Sequence, residues 1–447
     1  SCQWSGSTPL AGQGAGPLQL GSPLAYIAVL CFLAAALATA GAVPFHSWGP
    51  DFGETADAPT SAYLPASLDK LLGIYLLARC VMDLFELTPG LYLALMALGA
   101  VTIIAAVLMA LVQHDLKRLL SYHAVSQVGY MVLGIGTGTA IGLAGGLFHM
   151  LNNTVYKTAL FLCAGAVEKE TGTTDLDNLG GLARLMPVTF AACLVAALAI
   201  SGVPPLNGFA SKWMIYQGVI GSGESGGMSW IAWLAIAMLG SALTLASFVK
   251  VLHATFLCKP SPRVQAAQVS ENRTSMGVPM LVLAALCILF GVFAFQLPLA
   301  KWIFPIVGVE IQGVWWAGLA TLLIAGAILL GLVFYWLTMR SGKLRRVETY
   351  IGGEKMTEAY VSGSGQDRHL EVTGVDFYKT IEQLPMIRRY YLLVRARAFD
   401  IYHLFRRGAG YFIGNLRKAH SGVLPAYLRW FVVGLLIVVW VVTEAGS

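Results

Sequence analysis

The sequence predicts an all-α polytopic membrane protein, and two observations carry that prediction. Hydrophobic residues fill 57% of the 447 positions and charged residues only 12%, against roughly 25% charged residues in an ordinary soluble domain. Apolar runs long enough to cross a hydrocarbon layer of ~30 Å recur along most of the chain. Only helices and closed barrels satisfy their backbone groups inside lipid, and these runs are continuous rather than alternating, so they read as helices.

In order, the expected crossings are 24–47 (interrupted), 62–82, 91–113, 119–136, 139–166, 186–201 with 206–222, 229–257, 277–296, 313–338 and 424–443. The count is about ten if 186–222 is one crossing broken in the middle. Ser201-Gly202-Val203-Pro204-Pro205-Leu206-Asn207-Gly208 supports the break, because adjacent prolines remove backbone donors and glycines tolerate the bend. A similar break falls at Gly41-Ala42-Val43-Pro44-Phe45-His46-Ser47-Trp48, so two discontinuous helices of like design suggest a repeat.

Outside the crossings, residues 1–23 form a polar amino-terminal segment without the basic start and apolar stretch of a secretory signal. The absence of an opening methionine reads as a processed or incomplete start. Residues 24–257 form a core, 258–338 add further transmembrane helices, 339–423 a loop and an amphipathic segment, and 424–447 a terminal anchor. In the segment from about Val375 to His420, Arg388, Arg389, Arg395, Arg397, Arg406 and Arg407 interleave with Tyr390, Tyr391, Leu392, Phe399, Tyr402, Leu404 and Phe405. Such a helix lies along a membrane interface, and Pro385, Gly408 and Gly410 are expected to divide it.

Residues 340–429 hold 16 of the 29 basic and 8 of the 23 acidic residues. Beside membrane spans, such a stretch points to anionic lipid and to the cytoplasmic face rather than to nucleic acid. The loops at 114–118, 258–276 and 340–423 fall on one side, which the positive-inside rule makes cytoplasmic, in a cell inner membrane. Asp83 and Glu86 fall opposite; the acidic loop 167–185 dissents, but acidic residues weigh little in this rule. The seven cysteines are scattered without C-x-x-C spacing and read as packing residues. Asn152-Asn153-Thr154 matches a glycosylation sequon inside a span and is discounted.

An ionisable group at mid-membrane costs roughly 2.5–3.5 kcal/mol even on the gentler scales, so Lys70, Lys157 and Lys212, all within hydrophobic helices, need a reason. Lys250, near its helix end, fits a snorkelling lysine. His149, Asn153 and Lys157 recur at i, i+4, i+8 and line one helix face. His149 alone would be a satisfied core histidine; with Lys157 two turns on, a proton path is the better reading. Lys212 follows the second break, and interrupted helices at membrane depth expose half-helix ends that stabilise ions and water.

These residues stand among ordered motifs: Val43-Pro44-Phe45-His46-Ser47-Trp48, Ala58-Pro59-Thr60-Ser61-Ala62, Lys70, His114 to Tyr122 with Ser126-Gln127-Val128-Gly129-Tyr130, His149 to Lys157, Gly180-Gly181-Leu182 and Gly208-Phe209-Ala210-Ser211-Lys212. The order resembles the antiporter-like membrane subunits shared by respiratory complex I, the Mrp sodium/proton antiporters and the energy-converting group 4 nickel-iron hydrogenases. The match covers about residues 24–257, and the tail looks like the family's membrane-parallel helix with its terminal anchor. The resemblance implies an ion-translocation set of Lys70, His149, Asn153, Lys157 and Lys212, with Pro44, His46, Pro204, Pro205 and Gly208 shaping the two broken helices. Lys70 resembles the central relay lysine and Lys212 the lysine that delivers protons to the far side. Lys117 and Arg118 match a structural basic loop.

Three departures from the family stand out. Thr39 stands where the first broken helix normally carries a lysine, Asn153 where histidine is frequent, and the family's amino-terminal helices have no counterpart here. The implied function is a proton- or sodium-translocating, non-redox subunit of a complex I-like or hydrogenase complex. A structural scaffold with a vestigial path and a free-standing antiporter are the alternatives. Expected partners are other membrane subunits, among them a supplier of the missing helices, together with peripheral redox subunits and anionic lipid. No spacing suggests flavin, haem or iron-sulfur binding, so no cofactor or metal is expected. Tyr350-Ile351-Gly352-Gly353-Glu354 tilts the resemblance toward the hydrogenase-type relatives.

Overall fold

A computed structural model describes residues 17–225, 228–271, 274–308, 317–341, 361–362, 369–370, 375, 382, 384–398, 400–419 and 424–445. The Tyr350–Glu354 motif lies outside them. The chain divides into two compact units, Ser1–Tyr391 and Leu392–Ser447.

Helix α1 (Pro23–Ala40) starts on Ser22, whose hydroxyl accepts from the Ala25 amide at 3.2 Å, and stops at Gly41, which is left-handed at φ 75°. Ala42 to Ser47 form the break, and α2 (Trp48–Thr55) resumes the helix. Next, α3 (Ala58–Tyr63) and α4 (Asp69–Arg79) are joined by a π-helical turn, Leu64–Leu68, that contains Pro65. Proline has no N–H to give, so the ladder widens around it, and such π turns recur at functional sites. A second π turn, Cys80–Leu84, ends this rod, and a short strand, Phe85–Glu86, pairs in parallel with Leu18–Gln19.

Helices α5 (Pro89–Leu111) and α6 (Leu116–Gly136) form the most extensive pairing in the unit. Their backbones approach so closely that a Cβ on Gly129 would sit 2.7 Å from the Gly99 carbonyl oxygen. Close approach through small residues is what drives helix association where lipid supplies no hydrophobic force. Every residue of α6 except Arg118 is buried. Helix α7 (Ala140–Thr171) packs against α6 and ends on the left-handed Gly172. The second broken pair is α8 (Pro187–Ser201) and α9 (Asn207–Gly221), separated by Gly202 at φ 81° and the two prolines. Val43–Pro44 and Pro204–Pro205 are both cis, so the two breaks share one backbone design.

Helix α10 (Ser229–Leu252) continues through a π turn, His253–Leu257, to the short α11 (Pro262–Ala266); α12 (Thr274–Val292), a π-helical stretch, Phe295–Ile303, and α13 (Phe304–Val307) follow. Helix α14 (Ala317–Ser341) presents Leu322, Leu330 and Phe334 outward. One large apolar cluster gathers Leu119, Tyr156, Phe161, Ala196, Phe248 and Cys287; a second gathers Val29, Ile74, Val128, Phe148 and Met214. The outer faces are also apolar, as Leu24, Ile27, Met238, Leu239, Leu281 and Val282 show, and a surface of this kind belongs in lipid. Cys31 faces outward, whereas Cys80, Cys163, Cys193 and Cys287 are buried packing residues.

Among the described residues, four helical stretches are long and apolar enough to cross a membrane by themselves: Pro23–Ala40, Pro89–Leu111, Ser229–Ala266 and Thr274–Val292. The fold is a multi-helix membrane protein. Helices α6 and α7 fall outside that group because polar residues such as His123, Gln127, His149 and Lys157 lower their hydropathy, and those residues are buried inside the protein.

Two sequence expectations are corrected. The amphipathic segment is not divided at Gly408 or Gly410: helix α15 (Pro385–Arg395) ends in a turn at 396–398 with Arg397 left-handed at φ 53°, and α16 (Ile401–Ala419) runs unbroken through both glycines. Asp400 supplies the new start by accepting from the amides of Tyr402 at 3.0 Å and His403 at 3.2 Å. An exposed glycine costs a helix only ~1 kcal/mol, so it weakens without breaking. Lys250 does not snorkel: it is 2% exposed and donates to the carbonyls of Leu111 and Gln113, both at 2.9 Å. The carboxyl-terminal helix is α17 (Leu424–Ala445).

Candidate functional site

A polar axis runs through the interior of the first unit, built from the π turn, α7 and the two breaks. At the first break Lys70 is 1% exposed, and its Nζ lies 4.8 Å from the Trp48 ring centroid. It fills the space beside Gly41, where a Cβ would meet Nζ at 2.9 Å. Pro44 forms the cis bond of this break and His46 is buried beside it. Thr39 turns its hydroxyl back onto its own helix and donates to Ala35 O at 2.9 Å.

The π turn loosens the helical ladder, and α7 takes up its carbonyls. Asn153 Nδ2 donates to Ala66 O at 3.2 Å, and Ser67 Oγ lies 2.7 Å from Thr158 Oγ1. Two turns of α7 then separate Lys157 from His149, as the spacing requires, and all three stripe residues have no exposed surface. Lys157 Nζ donates to Leu120 O on α6 at 2.6 Å and sits 5.9 Å from the Phe248 ring centroid. His149 is held from three sides: Nδ1 is 2.8 Å from Ser211 Oγ, and Nε2 is 3.1 Å from Gln127 Oε1 and 3.3 Å from the Tyr156 hydroxyl.

Ser211 leads to Lys212, its neighbour on α9. Lys212 is 2% exposed, donates to Ile200 O in the last turn of α8 at 2.9 Å, and lies 4.7 Å from the Tyr130 ring centroid. The carbonyl end of a helix carries the negative pole of its dipole, so it is the favourable end for a cation. Gly202 leaves room for the lysine stem, and Gly208 lets α9 close onto α8, since a Cβ there would lie 1.9 Å from Ala199 O. Asn152 Nδ2 donates to Asn207 O at 3.0 Å across the same break.

Ion pairs tie the half-helix α2 to α6, and α6 to α7. Lys117 Nζ reaches Glu168 at 2.9 Å and Ala56 O at 3.2 Å, while Arg118 reaches Glu54 at 2.5 Å. The acidity of the 167–185 stretch is thereby explained in part, for Glu168 neutralises a basic residue of the neighbouring loop.

Of the ten residues expected from sequence, Lys70, His149, Asn153, Lys157, Lys212, His46 and Gly208 are buried and Pro44, Pro204 and Pro205 half-buried at the breaks; Asn153 links α7 to the π turn before Lys70, and His149 links it to the turn bearing Lys212. Sequence reasoning missed Gln127, Tyr156, Ser211 and His123. The signal was present, for His123, Gln127 and Tyr130 recur at i, i+4, i+7 on one face of α6.

The chain is thus a multi-helix membrane protein with two broken helices, each attended by a buried lysine. The sequence profile of the NADH:quinone oxidoreductase/Mrp antiporter transmembrane family matches residues 14–244, and the chain belongs to that family. It is 38% identical to hydrogenase-4 component B of Escherichia coli over 58% of this chain and 41% of the relative. It is 35% identical to formate hydrogenlyase subunit 3 of the same species over 61% and 46%. The chain therefore spans under half the length of these curated relatives. Among solved structures, a chain of the archaeal membrane-bound sulfane sulfur reductase superposes with a TM-score of 0.72 at 25% identity, covering 93% of this chain and 68% of that one. Respiratory complex I from Thermus thermophilus gives 0.56 at 25% identity, with coverages of 66% and 61%.

Proposed function

We propose that the chain is an antiporter-like subunit that moves protons, or sodium coupled to them, across a cell inner membrane. Redox chemistry in partner subunits of a complex I-like or hydrogenase assembly drives it. The observation that carries this reading is the seating of Lys212: a buried ammonium on the carbonyl end of a broken helix, one residue from the Ser211 hydroxyl that meets His149. A mid-membrane lysine so placed binds a proton in one state and yields it in another as the break moves. Lys70, Asn153, Lys157 and His149 extend the same relay. The matched relatives and structures belong to hydrogenases, sodium/proton antiporters and respiratory complexes, which favours transport over a scaffold with a vestigial path. About ten crossings, a cytoplasmic basic tail, anionic lipid along α15 and α16, and partner membrane subunits that adjoin α1 complete the proposal.

The test is the assembly carrying this chain, purified with its partners and reconstituted in vesicles. Lys212→Ala abolishes coupled ion movement while assembly and redox turnover persist. Lys212→Arg fails as well, because a guanidinium scarcely deprotonates, and Thr39→Ala changes little. Normal pumping by Lys212→Ala refutes the relay.

A further inference from the structure

We propose that His123, Ser247 and Lys250 form a second proton branch, which leaves the relay at Lys157 and runs to the carboxyl-terminal end of α5, with Phe248 as its gate. The inference rests on the transport reading above, and none of these four residues belongs to the relay assigned there.

His123 has no exposed surface. Its Nε2 lies 2.7 Å from Ser247 Oγ, while Nδ1 is buried without a protein partner. An unsatisfied buried polar group costs about 1–3 kcal/mol, so the open Nδ1 calls for a reason. One engaged nitrogen and one open nitrogen suit a ring that takes a proton on one side and releases it on the other. The open side has a donor nearby: Lys157 is bonded to Leu120 O, one turn before His123 on α6. The Phe248 ring touches both groups, its centroid 4.8 Å from that of His123 and 5.9 Å from Lys157 Nζ. An apolar ring beside both proton carriers keeps water from the space it fills until it turns.

Beyond His123 the route continues on α10. Ser247 and Lys250 are three residues apart and share a face. Lys250 Nζ is fixed to Leu111 O and Gln113 O, the last carbonyls before the half-exposed His114. The branch thus runs from the fully enclosed Lys157 to the surface loop at 112–115.

The step balances as a proton transfer. The Lys157 ammonium gives its proton to His123 Nδ1, and the imidazolium releases the Nε2 proton to Ser247 Oγ as that hydroxyl passes its own onward. A neutral Lys250 amine receives it through water and yields it to solvent, so one proton leaves; the cycle closes when the relay reprotonates Lys157, the His123 ring turns to restore its first tautomer and the Ser247 hydroxyl rotates back.

The experiment uses the same purified assembly in vesicles, with an entrapped pH dye and a potassium diffusion potential of ~100 mV, worth about 2.3 kcal/mol per charge. The branch joins Lys157 to the loop at 112–115 while Lys212 lies at the other end of the relay, so the two act in series: His123→Gln, which keeps a hydrogen-bonding side chain but carries no proton, and Ser247→Ala lower proton flux about tenfold or more, in the range of a lost acid–base group. Subunit composition and thermal midpoint stay unchanged. Phe248→Ala raises the passive leak. Unchanged flux in both His123→Gln and Ser247→Ala overturns the branch, and so does a flux loss that only tracks lost assembly. Should His123→Gln not assemble, Ser247→Ala, which removes a single oxygen, decides alone. Lys212→Ala separates the two ideas: if it stops transport while the His123 and Ser247 variants do not, the branch fails and the relay stands.

Discussion

Gly208→Ala puts the second break to a quantitative test. A Cβ at this position would lie 1.9 Å from Ala199 O and 2.9 Å from its carbon. That is about 1 Å inside any tolerated contact, and the obstacle is backbone, which cannot rotate away. The first turn of α9 must therefore lift from α8 by about that distance, and overpacking of this kind costs roughly 1–3 kcal/mol. The same shift pulls Lys212 Nζ away from Ile200 O, now 2.9 Å distant, and a displacement of ~1 Å in a reacting geometry costs on the order of 10²-fold in rate. In reconstituted vesicles, Gly208→Ala should lower the ratio of ions moved per redox turnover on that order, with a modest drop in thermal midpoint. Gly221→Ala is the control on the same helix, since its nearest neighbour would be Thr139 Cγ2 at an ordinary 3.8 Å. Wild-type coupling and stability in Gly208→Ala would mean that the closeness of the two half-helices has nothing to do with transport.

Two further outcomes follow from the charges at the ends of the helices. Lys117→Met removes the bond to Glu168 and to Ala56 O, and should lower stability by about 1 kcal/mol in a denaturation series. That is less than a buried charge-assisted bond is worth, because Glu168 is 37% exposed; an unshifted midpoint would make the ion pair ornamental. A single cysteine in place of the exposed Arg407 should react with an impermeant reagent only in inside-out vesicles, and labelling in intact cells would reverse the topology.

Both breaks were legible in the sequence because glycine followed by proline within a hydrophobic run leaves the chain few options. The α7 stripe was legible for a related reason: spacing alone places His149, Asn153 and Lys157 on one face. Lys250 was misread because position along a helix does not reveal what packs against its end, and here that is the set of free carbonyls terminating α5. His123 stood one helix away from the recognised stripe. Its importance depends on Ser247 and Phe248, more than a hundred residues later in the chain, and no local pattern conveys such a pairing. The missed division of the amphipathic segment has a simpler cause, since a left-handed Arg397 is a conformation sequence rarely announces.

Helix α6 is enclosed on all sides, yet it begins with a lysine and an arginine and carries His123 and Gln127 at its middle. A translocon sorts segments by how well each partitions into lipid, and central charged or polar residues count heavily against entry. The helix the fold needs most at its centre is thus poorly suited to leave the translocon by itself. Its route into the bilayer is in the company of α5, whose apolar surface is sufficient and whose glycine contact with α6 is intimate. A side chain at Gly99 or Gly129 would meet the facing backbone at 2.6 or 2.7 Å, so substitution there separates the two helices and removes the shelter that α5 gives the polar residues of α6.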